Sequence, residues 1–361
     1  MLQKFLTTGV AVATCALSYA QDTDSTKEKA SAFKLSGSAD VYYRYNFSKP
    51  KDAPYNNLTS FTNSQNSFEL GMASLKAEHT IGKVGMVADL GFGKRAEDFS
   101  YNDAKSTLAI KQLYLTYSPS AALKFTAGSW ATHIGYELVD AYLNRNYSMS
   151  YMFSYGPFFH TGIKADIALG GKSTLMVGIA NPTDLKSASN MPKMLIAQYA
   201  VATKDDKFKA YLNYQGGKYN DSAKLYQGDV VLTYAFTDKF NMGYNGTVQS
   251  RNMKQNDKWG SSNSWWGSAL YLNADPISWF GLTLRGEYFS DKNDVLGIHG
   301  AGATGLGNVF ETTLSANFKV DNLTIIPEFR LDNSKNAVFV NSANELKKST
   351  GTFILAATYH F

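Results

Sequence analysis

The chain has 361 residues, with 35 Lys and Arg against 30 Asp and Glu. The net charge of +5 is spread along it, without the basic clusters interleaved with aromatics that a nucleic-acid surface needs. One cysteine, Cys15, excludes a disulfide framework, and no apolar run reaches the roughly 20 residues of a membrane-spanning helix.

The 23 Tyr, 22 Phe and 29 Gly exceed what a soluble core requires, and they suit a sheet with one face in lipid and the other in water. At the N-terminus, Lys4 precedes an apolar stretch over residues 5–17, and Ser18-Tyr19-Ala20 follows the small-x-small rule of signal peptidase. Residues 1–20 therefore read as an export signal, whose cleavage after Ala20 also removes Cys15. Residues 21–33 are polar and read as a periplasmic tail, and residues 34–361 as the folded body.

From Lys34 the pattern changes to a period of two, the repeat of a β-strand. Leu35, Gly37, Ala39, Val41, Tyr43 and Tyr45 alternate with Ser36, Ser38, Asp40, Tyr42, Arg44 and Asn46. This run is far longer than the roughly 5–6 residues usual for a strand. The alternation recurs over 84–92, 159–169, 282–289 and 323–332, with charges gathered on the face opposite the apolar one. The predicted strands are 34–47, 66–81, 84–93, 107–118, 122–130, 158–169, 173–181, 193–203, 207–215, 226–236, 240–250, 264–275, 280–290, 308–319, 323–332 and 350–361. That makes sixteen, give or take two. An even number suits an all-β, transmembrane, antiparallel up-and-down β-barrel with both ends on the periplasmic side. A break of phase near Ala73 predicts a bulge. Lys111 shares the parity of Leu113 and Leu115, which leaves the start of that strand open.

The connections alternate short and long. Gly82-Lys83, Pro119-Ser120-Ala121, Gly170-Gly171-Lys172, Lys204-Asp205-Asp206, Thr237-Asp238-Lys239, residues 276–279 and Asp321-Asn322 are short. Segments 48–65, 94–106, 131–157, 251–263, 291–307 and 333–349 are long. Short periplasmic turns and long extracellular loops are the barrel's pattern. Tyr117, Phe236 with Phe240, and Trp279 with Phe280 flank the short turns, as rings at a membrane–water boundary do. The last strand carries Phe353, Leu355, Ala357 and Tyr359 on one face and ends on Phe361, the kind of end that barrel-assembly machinery reads.

Three stretches carry a family resemblance. They are Ile134-Gly135-Tyr136-Glu137 with Asn146-Tyr147-Ser148 and the run from Tyr155-Gly156-Pro157 to Gly162, then Trp265-Trp266-Gly267, then Ile325-Ile326-Pro327-Glu328-Phe329-Arg330. Over roughly residues 34–361 the chain resembles the OmpL-like β-barrel porins of bacterial outer membranes. The resemblance implies an outer-membrane channel and assigns neither a solute nor ligand residues.

The five histidines lack metal spacing and no G-x-S-x-G segment occurs, so neither an enzyme nor a cofactor or metal is expected. The segment 131–157, the third long loop, joins Glu137, Asp140 and Arg145 to Tyr147, Met149, Tyr151, Met152 and Phe153. It is too apolar to sit freely in water, so it is expected to fold into the lumen and narrow the pore. Packing over the outer mouth, or against another subunit, is the alternative. Parity points Arg44, Arg285 and Arg330 into the lumen. Either these arginines face the loop acids across a constriction and set up a transverse field, or they pair along the wall with Glu287, Glu328 and Asp40. The function expected is passive diffusion of small hydrophilic solutes or ions. The alternatives are a barrel that binds a partner through its outer loops and, less favoured, a lipid hydrolase. The partners expected are outer-membrane lipid, the solutes, the assembly machinery and, by analogy with general porins, two further copies in a homotrimer.

Overall fold

A computed structural model describes residues 32–302 and 304–361; the expected export signal and residues 21–31 of the tail lie outside them. Sixteen strands form one antiparallel sheet. They are β1 (Ala32–Asn46), β2 (Ser67–Ile81), β3 (Val84–Phe92), β4 (Ile110–Ser120), β5 (Leu123–Ala131), β6 (Phe159–Gly170), β7 (Ser173–Ala180) and β8 (Met194–Ala202). The second half comprises β9 (Phe208–Asn220), β10 (Ala223–Thr237), β11 (Phe240–Gln255), β12 (Asn263–Ile277), β13 (Phe280–Asp291), β14 (Gly307–Val320), β15 (Leu323–Ser334) and β16 (Ser349–His360). β1 pairs with β2 on one side and with β16 on the other, from Ser38↔His360 to Asn46↔Thr352, so the sheet closes and leaves no edge. The N–H and C=O of Gly37 bond to those of Phe361 and fasten the seam.

Burial runs opposite to a soluble protein. On β13, Leu282 and Leu284 are exposed, while Thr283, Arg285 and Glu287 are buried. On β15, Ile325, Phe329 and Leu331 are exposed, and Glu328 and Arg330 are buried. Trp265 lies inside and donates to Gln249 at 3.1 Å, while its neighbour Trp266 is 43% exposed outside. A continuous apolar outer belt of this size belongs in hydrocarbon, where closure has already satisfied every strand's backbone groups.

Two irregularities set the phase. Asp40 lies opposite the extra pair Gly71-Met72 of β2, which places the bulge just before Ala73. A Cβ at Gly71 would overlap the Asp40 carboxylate, so any larger residue there would displace that side chain from its present place. In β4, Gln112 pairs with Asp89 and Ile110 with Leu90, so Lys111 is the extra residue and turns inward despite its parity. β4 itself is preceded by a 3-10 turn over Lys105–Ala109, which delays its start from the expected 107.

The turns at one rim are short, as expected; Gly171 and Lys172 both take positive φ, the type I′ geometry of a tight hairpin. At the other rim the segments 47–66, 93–109, 132–158, 181–193, 292–306 and 335–348 are long. Two connections there differ from the reading. The segment 251–263, expected to be long, is shortened, because β11 runs on to Gln255 and pairs at once with Lys258–Trp259 across Asn256-Asp257. The second lies between β9 and β10. Strands expected to stop at 215 and restart at 226 run on to Asn220 and back from Ala223, joined by Asp221-Ser222 alone. The polar and glycine residues there lack the apolar alternation that marks the other strands, so the extension left no signal in the sequence.

Candidate functional site

Three segments of the long-loop rim pack inside the barrel. Phe61 from segment 47–66 and Phe99 from the short helix α1 (Lys94–Phe99) meet Val139, Met149, Phe153 and Phe158 of segment 132–158 in one buried cluster. Segment 132–158 contains a 3-10 turn, Ala141–Leu143, and the helix α2 (Tyr151–Tyr155), capped by the Ser150 hydroxyl, which accepts from Phe153 N–H at 3.1 Å.

Wall carboxylates hold this segment by its backbone. Glu328 accepts from the N–H groups of Tyr147 (2.6 Å) and Ser148 (3.0 Å). Glu287 accepts from Tyr151 (2.7 Å) and Met152 (2.8 Å), donors that the first turn of α2 leaves without helical partners. Wall arginines take the carbonyls between them: Arg285 donates to Ser148 O at 2.7 Å and Arg330 to Met149 O at 2.7 Å. Tyr147 donates its hydroxyl to Asp40 at 2.6 Å in the space that Gly71 leaves, and Asn146 donates to Ser315 at 2.6 Å. Charge-assisted bonds of this kind keep a buried carboxylate from standing unsolvated.

The candidate charges therefore meet rather than face one another across water. Glu137 accepts from Arg285 at 2.6 Å, and Arg285 also pairs with Glu311 at 2.9 Å. Arg330 pairs with Asp332 at 2.8 Å, and Arg145 with Asp275 at 2.8 Å. Arg44 reaches the carbonyls of Tyr55 and Ser64 in segment 47–66. Asp140 lies 2.5 Å from Lys111; burial raises its pKa, and the ammonium opposes that rise. The alternative in which Arg44, Arg285 and Arg330 pair along the wall with Glu287, Glu328 and Asp40 gives no ion pair within 4 Å among the described residues: loop amides meet Glu287 and Glu328, and Asp40 meets the Tyr147 hydroxyl and, at 3.7 Å, Arg95. The sequence reading missed Lys111, Glu311 and Asp332. Only Lys111 left a signal, its conflict of parity.

The opposite side of the segment is held more sparsely. Among the described residues its side-chain bonds to β8–β11 involve only residues 133–135: His133 with Tyr214 O and with Gln198, and Gly135 N–H to Asp229 at 3.1 Å. Burial holds His133 down at about 4, so the ring adds no charge near neutrality. Gly135, at φ 93°, brings bare backbone against the wall in a conformation that favours glycine. Here Gly135 and Gly156 face Gln227, Asp229, Asn245 and Thr247 across a gap of about 10 Å³. Above it lies a cavity of about 360 Å³ bordered by Tyr101, Tyr155, Gln249 and Arg251. At the short-turn rim, against the later strands, lies a cavity of about 620 Å³ bordered by Tyr136, Arg145, Asn273, Asn317 and His360. Alternate residues of β11, from Arg251 through Gln249 and Thr247 to Asn245, run from the upper cavity into the gap.

Residues 32–361 match the family described as putative beta-barrel porin-2, OmpL-like. The chain belongs to that family. Its barrel is similar to the outer-membrane channel DcaP of Acinetobacter baumannii, at 12% identity and TM-score 0.63, covering 93% of this chain and 99% of that one. It is also similar to an anion-selective porin from Comamonas acidovorans, at 12% identity and TM-score 0.60, covering 92% and 100%. OmpT of Vibrio cholerae matches at 11% identity and TM-score 0.57, covering 93% and 99%. At these identities the likeness is one of fold. A comparison with curated protein sequences found no match. Family and fold together make this porin-like chain a bacterial outer-membrane β-barrel.

Proposed function

We propose that this barrel lets small hydrophilic solutes or ions diffuse passively across the outer membrane, and that segment 132–158 narrows the way. In this reading Glu137, Asp140, Arg145, Arg285, Arg330, Glu287 and Glu328 hold the segment against the wall, with Arg44 doing the same for segment 47–66. Passage then follows the other side, along β10 and β11. The observation that supports the reading is the glycine-faced gap beside Gln227, Asp229, Asn245 and Thr247, which shares Gly156 with a cavity at the long-loop rim, together with a second cavity at the short-turn rim. The long-loop rim faces outward in this reading, and three copies assemble by analogy of fold.

Single-channel recording of purified protein in planar bilayers tests it. Small, ohmic steps are expected, and Gln227→Trp, which fills the gap, should lower them several-fold. Folded protein that carries no current would favour the second reading, a plugged barrel that serves a partner through its outer rim. The width of the gap, about that of one water, speaks for that alternative.

A further inference from the structure

We infer that the narrowest part of the path selects for cations, and that Asp229 is the residue that does so. The inference rests on the channel reading above and concerns what the channel prefers. Of the residues around the gap, Asp229 alone carries a formal charge; the others are amides, a hydroxyl, glycines and apolar side chains. Its carboxylate accepts from Asn213 Nδ2 (2.7 Å), Asn245 Nδ2 (2.7 Å) and Gly135 N–H (3.1 Å), all of them neutral donors. Such donors hold the carboxylate in place without cancelling its charge.

Of the remaining lumen charges, Glu287, Glu328 and Arg44 are held on loop backbone and do not line the gap, and several others pair with opposite charges. Arg285 lies between Glu137 and Glu311, Arg330 on Asp332, Lys111 between Asp89 and Asp140, and Arg145 on Asp275. Arg251 is the cation next along β11, but it borders the wide upper cavity, where water screens it; its Nε donates to Gln249 at 2.7 Å. A charge beside a water-wide, low-dielectric gap acts on a passing ion far more strongly than the same charge in a vestibule. The chain as a whole carries +5, which by itself would draw anions, so local geometry and overall charge make opposite forecasts.

The experiment is the reversal potential of the full-length processed protein in bilayers under a KCl gradient, starting from about 0.1 M, where screening extends about 10 Å. Wild type is expected to prefer K⁺ over Cl⁻ by roughly fivefold or more, the effect of one unit charge at about 4 Å in water. Asp229→Asn should bring the ratio close to unity. Asp321→Asn, which removes an equal charge from the wide lower cavity, should leave it unchanged. Gln227→Glu, adding a second carboxylate to the gap, should raise it, and this arm stands even if Asp229→Asn fails to fold. Anion preference in wild type, an unchanged ratio in Asp229→Asn or Gln227→Glu, or an equal shift in Asp321→Asn would overturn the assignment to Asp229. Folded protein without any current removes the channel reading itself, a different failure from a current of the wrong preference.

Discussion

Asp184, between β7 and β8, ties down the outgoing end of the inward segment. Its Oδ1 accepts from the N–H groups of Phe158 (2.7 Å) and Phe159 (3.0 Å), and its Oδ2 accepts from the Tyr101 hydroxyl (3.1 Å). Burial, helped by the like charge of Asp103, pushes this carboxyl up to about 7 against the pull of its three donors; Lys186 and Tyr219 complete its charged and titratable surroundings. The folded protein therefore keeps a proton that the unfolded chain has released once pH exceeds about 4. The contribution of Asp184 to stability accordingly falls as pH rises from about 4 to about 7 and is level above that. Urea unfolding in lipid vesicles should show the stability difference between wild type and Asp184→Asn shrinking across that window. A constant difference would mean that the carboxyl does not titrate there. The sequence held no hint of this residue, because its partners lie about 25 and 83 positions away in the chain.

At the scale of elements, segment 132–158 is a loop fastened like a strand, with backbone donors and acceptors meeting wall carboxylates and guanidinium groups in turn. Replacing Glu328 by Gln keeps the shape but removes the charge from three bonds, two from the segment's amides and one from the Ser315 hydroxyl, a loss of about 1–2 kcal/mol. Hydrogen exchange at Tyr147 and Ser148 should then quicken roughly tenfold or more, while β14 and β15 keep their protection. Equal quickening along the strands would show that Glu328 supports the barrel rather than the segment. The sequence revealed an apolar loop too long to float in water, and parity revealed the inward arginines. It did not reveal which groups would meet, since parity assigns a face and a distance depends on how the segment coils. Hence Glu287 and Glu328, read as partners for arginines, turned out to hold amides.

At the scale of the whole molecule, the outer belt is what separates this chain from a soluble sandwich. Leu314 lies mid-strand between Leu284 and Phe329 and is 47% exposed on the outer face. Leu314→Arg should cost about 2–4 kcal/mol in lipid vesicles, the penalty for a cation near the bilayer midplane. An unchanged urea midpoint would put this face in water. The class of fold, the sixteen strands and the inward arginines were all legible in the residues. Alternation with period two records which face of each strand meets lipid, and lipid admits only a closed sheet. The bulges at Gly71-Met72 and Lys111, the extended hairpin around Asp221-Ser222, the ion pairs of the lumen and the isolated charge of Asp229 were decided by the tertiary structure. They depend on distances across the barrel, set by closure and by the packing of three inward segments, and a one-dimensional pattern carries no measure of those distances.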